Sequence, residues 1–473
     1  MHHRPSRVAV VVLVGMAVGT ASGSAQARRS GDRCLMDLVK VEREGVRTTP
    51  VDGSSNLFAG GNVHAKCRGR NIHIYADSVA MYQSAGNSLI QFISQGSRVR
   101  YRDSTTELDT DFGQYFSDGE RFEAQGNAVH KDLESGSTIS GSRIDYLRPV
   151  RGLRTELEVV AYSRPTVRYA VTDSLGRPQT PYTIIGNKIT MVGSKQLFAG
   201  GAVVIDRDDL KGESDSLWLD SGTGQGGQLV GKASLRGQQG DGFSLTGQTI
   251  DLLLTDDELT GFRARDSARL VSKSVTLEAD SIGIALVNRQ VEQTRAWGKT
   301  QRPRAVSADY QVEGDSVLIE TPGQRLSKVR AFGNGRAGFA GTVADSGAAE
   351  RRDWIAGDMV VVSFIDIDSA GTRKSTVNQL EAERQAGAFY QLAPEPGQAA
   401  GSINYTRADR ILVTMRVTPD STSVDRVDAY GNVDGIHLQP AVRRLLADST
   451  KVSVPVKPKA APAPPATRPG GRP

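Results

Sequence analysis

The chain has 473 residues, enough for several domains. Its 51 glycines, 6% aromatic content and lack of any sustained helical period exclude a helical bundle or an α/β architecture. The net charge of +5 sits at the ends, in Arg4 and Arg7 and in Arg443, Arg444, Lys451, Lys457, Lys459, Arg468 and Arg472 against Asp448 alone. The body between carries about −3 and has no basic footprint for a nucleic acid.

Residues 1–27 read as a secretory signal, with Arg4 and Arg7 ahead of an apolar run over 8–18 and a small-residue cleavage site at Ala25-Gln26-Ala27. That run of about 11 residues is too short for a hydrocarbon core of about 30 Å, and no later stretch is long and apolar enough to cross. The expectation is an exported, periplasmic protein that does not span a membrane. Residues 28–56 are polar, show no sustained period, and read as an N-terminal arm. Cys34 and Cys67 both lie beyond the cleavage site. They read either as a disulfide tying the arm to the first repeat, worth roughly 3–4 kcal/mol by loop entropy, or as two free thiols.

A short phrase then organises the chain. Leu57-Phe58-Ala59-Gly60-Gly61-Asn62-Val63 returns as Leu197-Phe198-Ala199-Gly200-Gly201-Ala202-Val203, and looser copies of its core stand at Ala124 to Asn127, Ala296 to Lys299, Ala331 to Asn334 and Ala429 to Asn432. A strand-plus-turn phrase repeated in this way builds β-structure from near-equivalent pieces. A second phrase, a small residue followed by Asp, interleaves with it at Asp77, Asp215, Asp280, Asp315, Asp358 and Asp409. Asp near the start of a strand is ordinary turn chemistry, so these carboxylates read as structural.

Alternation with a period of two, as at Ile411, Val413, Met415 and Val417 or Ile250, Leu252 and Leu254, gives each strand one apolar and one wet face. The expected fold is all-β: two to three tandem, open antiparallel units over 57–196, 197–328 and a diverged 329–440. A tail at 441–473, rich in Pro, Ala and basic residues, buries little.

Strings that imitate active sites fail on context. Gly222 to Gly227 spells G-x-G-x-x-G, but a strand and not a helix comes after it. Gly226 to Lys232 approaches a P-loop but has Ala233 where a hydroxyl is needed. Asp366 to Gly371 imitates a calcium loop, with Ala370 and Val377 at ligand positions. His64, His73, His130 and His437 show no metal spacing, and there is no G-x-S-x-G elbow. No catalytic residue, metal or cofactor is expected.

The phrase LFAGGNVH, the ADS strand at Ala76, the Gly-Asn turns, DWIAGDMVVV from Asp353 and VDAYGNVDGIHLQP from Val427 together resemble the OstA-like family. That family comprises the periplasmic lipopolysaccharide-transport proteins and the N-terminal domain of the outer-membrane lipopolysaccharide assembly protein of organic solvent tolerance type. The resemblance covers most of 57–440. It implies V-shaped β-jellyrolls that hold lipopolysaccharide acyl chains in an apolar groove and join partner β-jellyroll or outer-membrane assembly proteins through edge strands. Groove candidates on this chain are Ile72, Ile74, Phe92, Val99, Phe198, Val203, Leu217, Leu219, Ile250, Leu252, Ile282, Ile284, Val317 and Ile319. Each of these can equally be a residue of a closed core. The chain shows no barrel region after Pro440, which points to a soluble bridge or chaperone component. Two other readings stand beside this one, a structural or adhesive β-solenoid without a ligand and a carbohydrate-active enzyme on a β-scaffold.

Overall fold

A computed structural model describes residues 34–439 apart from 50–53, 85–86, 173–174, 221–225, 239–241, 256–257, 308, 340–352, 370–371, 392–400 and 419–421. The expected signal (1–27) and tail (441–473) lie outside the described residues. Among those described, the chain is all-β, with thirty strands in antiparallel ladders and no α-helix.

β1 (Met36–Lys40) and β2 (Arg43–Thr48) cover the outer edge of β3 (Ser55–Cys67), one on each half of it. β3 pairs along its length with β4 (His73–Ser84). Four short strands come next: β5 (Asn87–Ile93), β6 (Val99–Arg102), β7 (Thr106–Thr110) and β8 (Phe112–Phe116). β5 and β8 extend one half of the ladder, β6 and β7 the other, and both halves rejoin on β9 (Arg121–Asp132). β9 pairs with β10 (Thr138–Leu147), and the division repeats through β11 (Glu158–Tyr162), β12 (Thr166–Tyr169), β13 (Tyr182–Ile185) and β14 (Lys188–Val192).

Six long strands then form an unbroken meander, β15 (Gln196–Arg207), β16 (Leu210–Asp220), β17 (Gly226–Gly237), β18 (Phe243–Thr255), β19 (Glu258–Ser272) and β20 (Thr276–Val287). A third division uses β21 (Gln290–Trp297), β22 (Arg304–Val306), β23 (Tyr310–Glu313) and β24 (Ser316–Glu320). It rejoins on β25 (Lys328–Phe339), which continues through β26 (Asp353–Ser369) and β27 (Thr372–Gln391) to β28 (Ile403–Val417). β29 (Thr422–Tyr430) and β30 (Asp434–Leu438) cover the last edge, again one on each half.

The two halves are two facing arms. Tyr101 on β6 packs on Phe122 of β9 at 5.2 Å, and Phe243 of β18 meets Phe262 of β19 at 6.0 Å, each contact crossing from one arm to the other. The Tyr146 hydroxyl on the first arm donates to Asp103 on the second at 2.7 Å. Buried residues of both arms belong to one apolar core.

Alternate long strands (β3, β9, β15, β17, β19, β25 and β27) pass between arms through a bulge, so the bulges line up as a spine. On β3 the register steps from Gly60↔Ser78 to Val63↔Ala76, and on β15 from Gly200↔Ser216 to Val203↔Ser214. Two residues opposing one bend the strand there. The repeated phrase supplies the two bulged residues: Gly61 and Asn62 have φ of 77° and 47°, Gly201 and Ala202 have 79° and 47°. The second phrase meets it at the same place. Asp215, Asp280, Asp315 and Asp409 lie against Gly231, Gly298, Gly333 and Gly431, where a Cβ would collide with the carboxylate side chain, and Asp111 stands in the same way against Gly126. Asp280 accepts the backbone N–H groups of Lys299, Thr300 and Gln301 at 2.7, 2.8 and 2.8 Å. Those donors, Thr300 first, hold its carboxyl below the ordinary Asp value. Asp215, Asp280 and Asp409 therefore sit at mid-strand corners, whereas Asp111 and Asp315 directly precede the strand starts of β8 and β24.

One further reading changes. The expected arm contains β1 and β2, whose five and six residues are too short to register as a period. The ladder runs unbroken across 196/197 and 328/329, since β14 pairs with β15 and β24 with β25. The phrase at Leu197 thus marks a spine crossing within one slab. Asp366 lies within β26 and not in a turn, and the hairpin link at 370–371 is outside the described residues.

Candidate functional site

The space between the arms is filled unevenly. In the first third, Phe92, Tyr101, Tyr115, Phe122 and Tyr146 are all fully buried, and rings of this size close the interior. Along the unbroken meander the interior is built from Leu, Ile, Val and Ala, with Phe262 as its fully buried ring. Branched aliphatics on both arms leave the gap between the arm ends, away from the spine, incompletely filled. A cavity of about 600 Å³ opens there.

Its apolar wall comes from strand ends on both arms. Ile184, Ile205, Leu210 and Leu235 face Leu219, Leu252, Leu254 and Leu286 across it, with Tyr169 and Tyr182 at the end nearest β12. Strand alternation puts each of these side chains on the inner face; one position further along, it would point to solvent. A smaller recess of about 40 Å³ continues past Phe243 and Phe262 to Gln324.

The rim is polar and of mixed sign, carrying Lys195, Arg207 and Arg289 together with Glu134, Asp220 and Glu258. Arg207 lies 4.2 Å over the Tyr182 ring and is paired through two nitrogens with Asp209. Burial raises the Tyr182 hydroxyl above its ordinary pKa, so it stays protonated at neutral pH. Asp220 accepts from Gln196 at 2.9 Å. Arg289, in the β20–β21 turn, donates to Gln179 of the β12–β13 connection at 2.8 Å, a contact across the mouth.

Of the fourteen groove candidates, Leu219 and Leu252 line this cavity. Ile72, Ile74, Phe92, Val99, Val203, Leu217, Ile250, Ile282, Ile284, Val317 and Ile319 are buried in the core between the arms. Phe198 is a correction: it is 42% exposed on the outer face, because Leu197 and Ala199 on either side of it point inward. The residues missed, Ile184, Ile205, Leu210, Leu235, Leu254 and Leu286, are apolar residues near strand ends. That is the signal that could have found them, since a strand end next to a polar turn usually has no reason to be greasy.

Cys34 and Cys67 are joined, with Cα atoms 5.4 Å apart. The Cys34 amide donates to Glu120, which is 1% exposed and pairs with Arg148 at 3.1 Å and Arg70 at 3.8 Å. Among the described residues no group of three or more His, Cys, Asp or Glu side chains could hold a metal ion, and no helix is long and apolar enough to cross a membrane. No protein-family model matches the chain, and neither does any curated protein.

Proposed function

We propose that this is a lipid-binding protein of the cell envelope that shields acyl chains of lipopolysaccharide or a related glycolipid between its two arms, in transport or assembly of the outer membrane. The cavity between the arm ends, with an aliphatic wall and a polar rim, is the observation that carries the reading. Each methylene moved from water into such a wall gains about 0.8 kcal/mol, so a chain of about a dozen carbons gains on the order of 10 kcal/mol before the costs of association.

Partner binding is assigned to the ends of the slab. Among the described residues, β1 and β2 at one end, and β29 and β30 at the other, have a strand neighbour on one side only. Val39 and Val46 at the first end and Ile436 and Leu438 at the second are exposed. Open edges of this kind take up another β-strand, which supports edge-to-edge joining with a β-jellyroll or outer-membrane assembly protein. The likeness to the OstA-like family supports the same reading.

The test is mass spectrometry of lipids carried by the protein purified from its native envelope, beside the Leu252→Asp variant. Co-purified acyl lipid in the parent, absent from a variant with unchanged circular dichroism, is the expected result. A parent that carries no lipid, with the cavity accepting none when offered, refutes the reading and favours a ligand-free scaffold.

A further inference from the structure

The size and closure of the cavity say how much lipid it can take, an inference that rests on the lipid-binding reading. A water-sized group occupies roughly 30 Å³, and a methylene is of similar size, so 600 Å³ accommodates roughly twenty of them. On the second arm the cavity runs from Tyr169 on β12 past Ile184, Ile205 and Leu210 to Leu235 on β17. These are five neighbouring ribbons, which at about 4.8 Å each span roughly 20 Å along the slab.

Among the described residues, neither end leads on into a conduit. Toward the N-terminus the interior is stopped by Tyr146, Tyr101 and Phe122, with ring centroids 5.1 and 5.2 Å apart. Toward the C-terminus Phe243 and Phe262 narrow it to the 40 Å³ recess, and beyond them Tyr310 packs on Phe364 at 4.9 Å. The mouth is narrowed as well, by the Arg289–Gln179 contact. The rim offers no concentrated positive charge for a head group with several anions. Its three basic side chains are matched by three acidic ones, and Arg207 is already committed to Asp209.

We infer that the cavity is a blind site for a single acyl chain of up to roughly twenty carbons, inserted chain-first, and does not hold the several chains of a polyacylated glycolipid together. A single-chain lipid, or one chain of a larger lipid, is the ligand class it fits.

Displacement of a fluorescent fatty acid from the full chain, with native mass spectrometry for stoichiometry, tests this. The competitors are saturated fatty acids of increasing length, a lysophosphatidylethanolamine, a diacyl phosphatidylethanolamine and a hexa-acylated lipid A. One chain per protein is expected. Affinity should climb by up to about fourfold per methylene and level off near eighteen to twenty carbons by the roughly 30 Å³ measure. The two-chain and six-chain lipids should gain nothing over the single chain, and Leu252→Trp should move the plateau to shorter chains. Affinity that keeps rising past the plateau length, or lipid A displacing the probe tenfold or more better than the best single chain, overturns the single-chain site while leaving the lipid-binding reading intact. Failure of every lipid to displace or bind overturns both.

Discussion

The two glycines of the LFAGG phrase should differ sharply when each is replaced by alanine. At Gly201 the backbone has φ of 79°, and a Cβ would stand 2.5 Å from Asn187 Nδ2 and 2.9 Å from Asn187 Cβ. The left-handed region costs an L-residue roughly 1–2 kcal/mol. Ala202, next in the chain, already adopts φ 47°, so strain alone does not exclude alanine. The collision adds to it, because Asn187 is held in place by its amide donating to the Gly201 carbonyl at 3.0 Å. A total loss of about 2–3 kcal/mol is expected for Gly201→Ala, at the scale of backbone-strain and overpacking substitutions. At Gly200 no atom lies within 4 Å of a built Cβ and φ is outside the left-handed region, so Gly200→Ala should be neutral or gain about 0.4–1 kcal/mol by restricting the unfolded chain. A slab of stacked ribbons opens locally, so amide hydrogen exchange in β14 and β15 is the assay. Equal losses at the two positions, or a larger one at Gly200, would refute the assignment of the second glycine to the corner.

Ala202→Asn should stabilise the same corner by up to about 1 kcal/mol, since Asn tolerates the left-handed region; faster exchange in β15 would count against it. His130 is buried, with no hydrogen-bond partner for either ring nitrogen, and burial pulls its pKa down to about 4. It is therefore neutral in the fold, and up to about 3 kcal/mol of stability present above pH ~6.5 is lost as pH falls toward 4; His130→Leu should flatten that acid limb in β9. Asp353 has the opposite sign, because burial lifts its carboxyl to about 6. Its contribution is full below the ordinary Asp range and lost as pH rises through 6, so Asp353→Asn should slow exchange in β26 near neutral pH. Glu120→Gln leaves the Arg148 and Arg70 charges without their shared carboxylate at a buried position and should cost about 3–5 kcal/mol, read as early loss of β1 protection.

The repeat was legible because its period is enforced by geometry. Every second strand that crosses the spine needs two left-handed residues, and Gly followed by Asn or a small residue meets that need, so the phrase recurs at Gly61, Gly126, Gly201 and Gly333. Its partner was legible as a pattern but misassigned. Asp280 is bonded to residues about twenty positions on, and a cross-strand bond of that length leaves the same local signature as a turn. Inner and outer faces emerged from alternation wherever a strand was long, as at Ile411, Val413 and Met415, all buried. Phe198 was misplaced because its size outweighed its phase: Leu197 and Ala199 already fixed which side faced in. A repeated corner and a repeated domain look alike in sequence; in the structure the ladder continues across both expected boundaries, through β14 with β15 and β24 with β25.

What separates a core from a site in this slab is side-chain volume along the inner faces. The spine sets where each strand turns, and strand length beyond it sets how deep each arm reaches. The first third fills the gap with Tyr101, Tyr115, Tyr146, Phe92 and Phe122. At the mouth of the meander the facing positions hold Leu210, Leu219, Leu235 and Leu252, each smaller than a ring by several heavy atoms. Interiors pack to crystal-like density, so a deficit repeated over neighbouring ribbons is not absorbed by small shifts and adds up to a void. A void lined by aliphatics and open to water at one side is costly to leave empty unless it serves a guest. On the lipid-binding reading proposed above, the guest is flexible, apolar and elongated along the slab, which describes a hydrocarbon chain better than any compact metabolite.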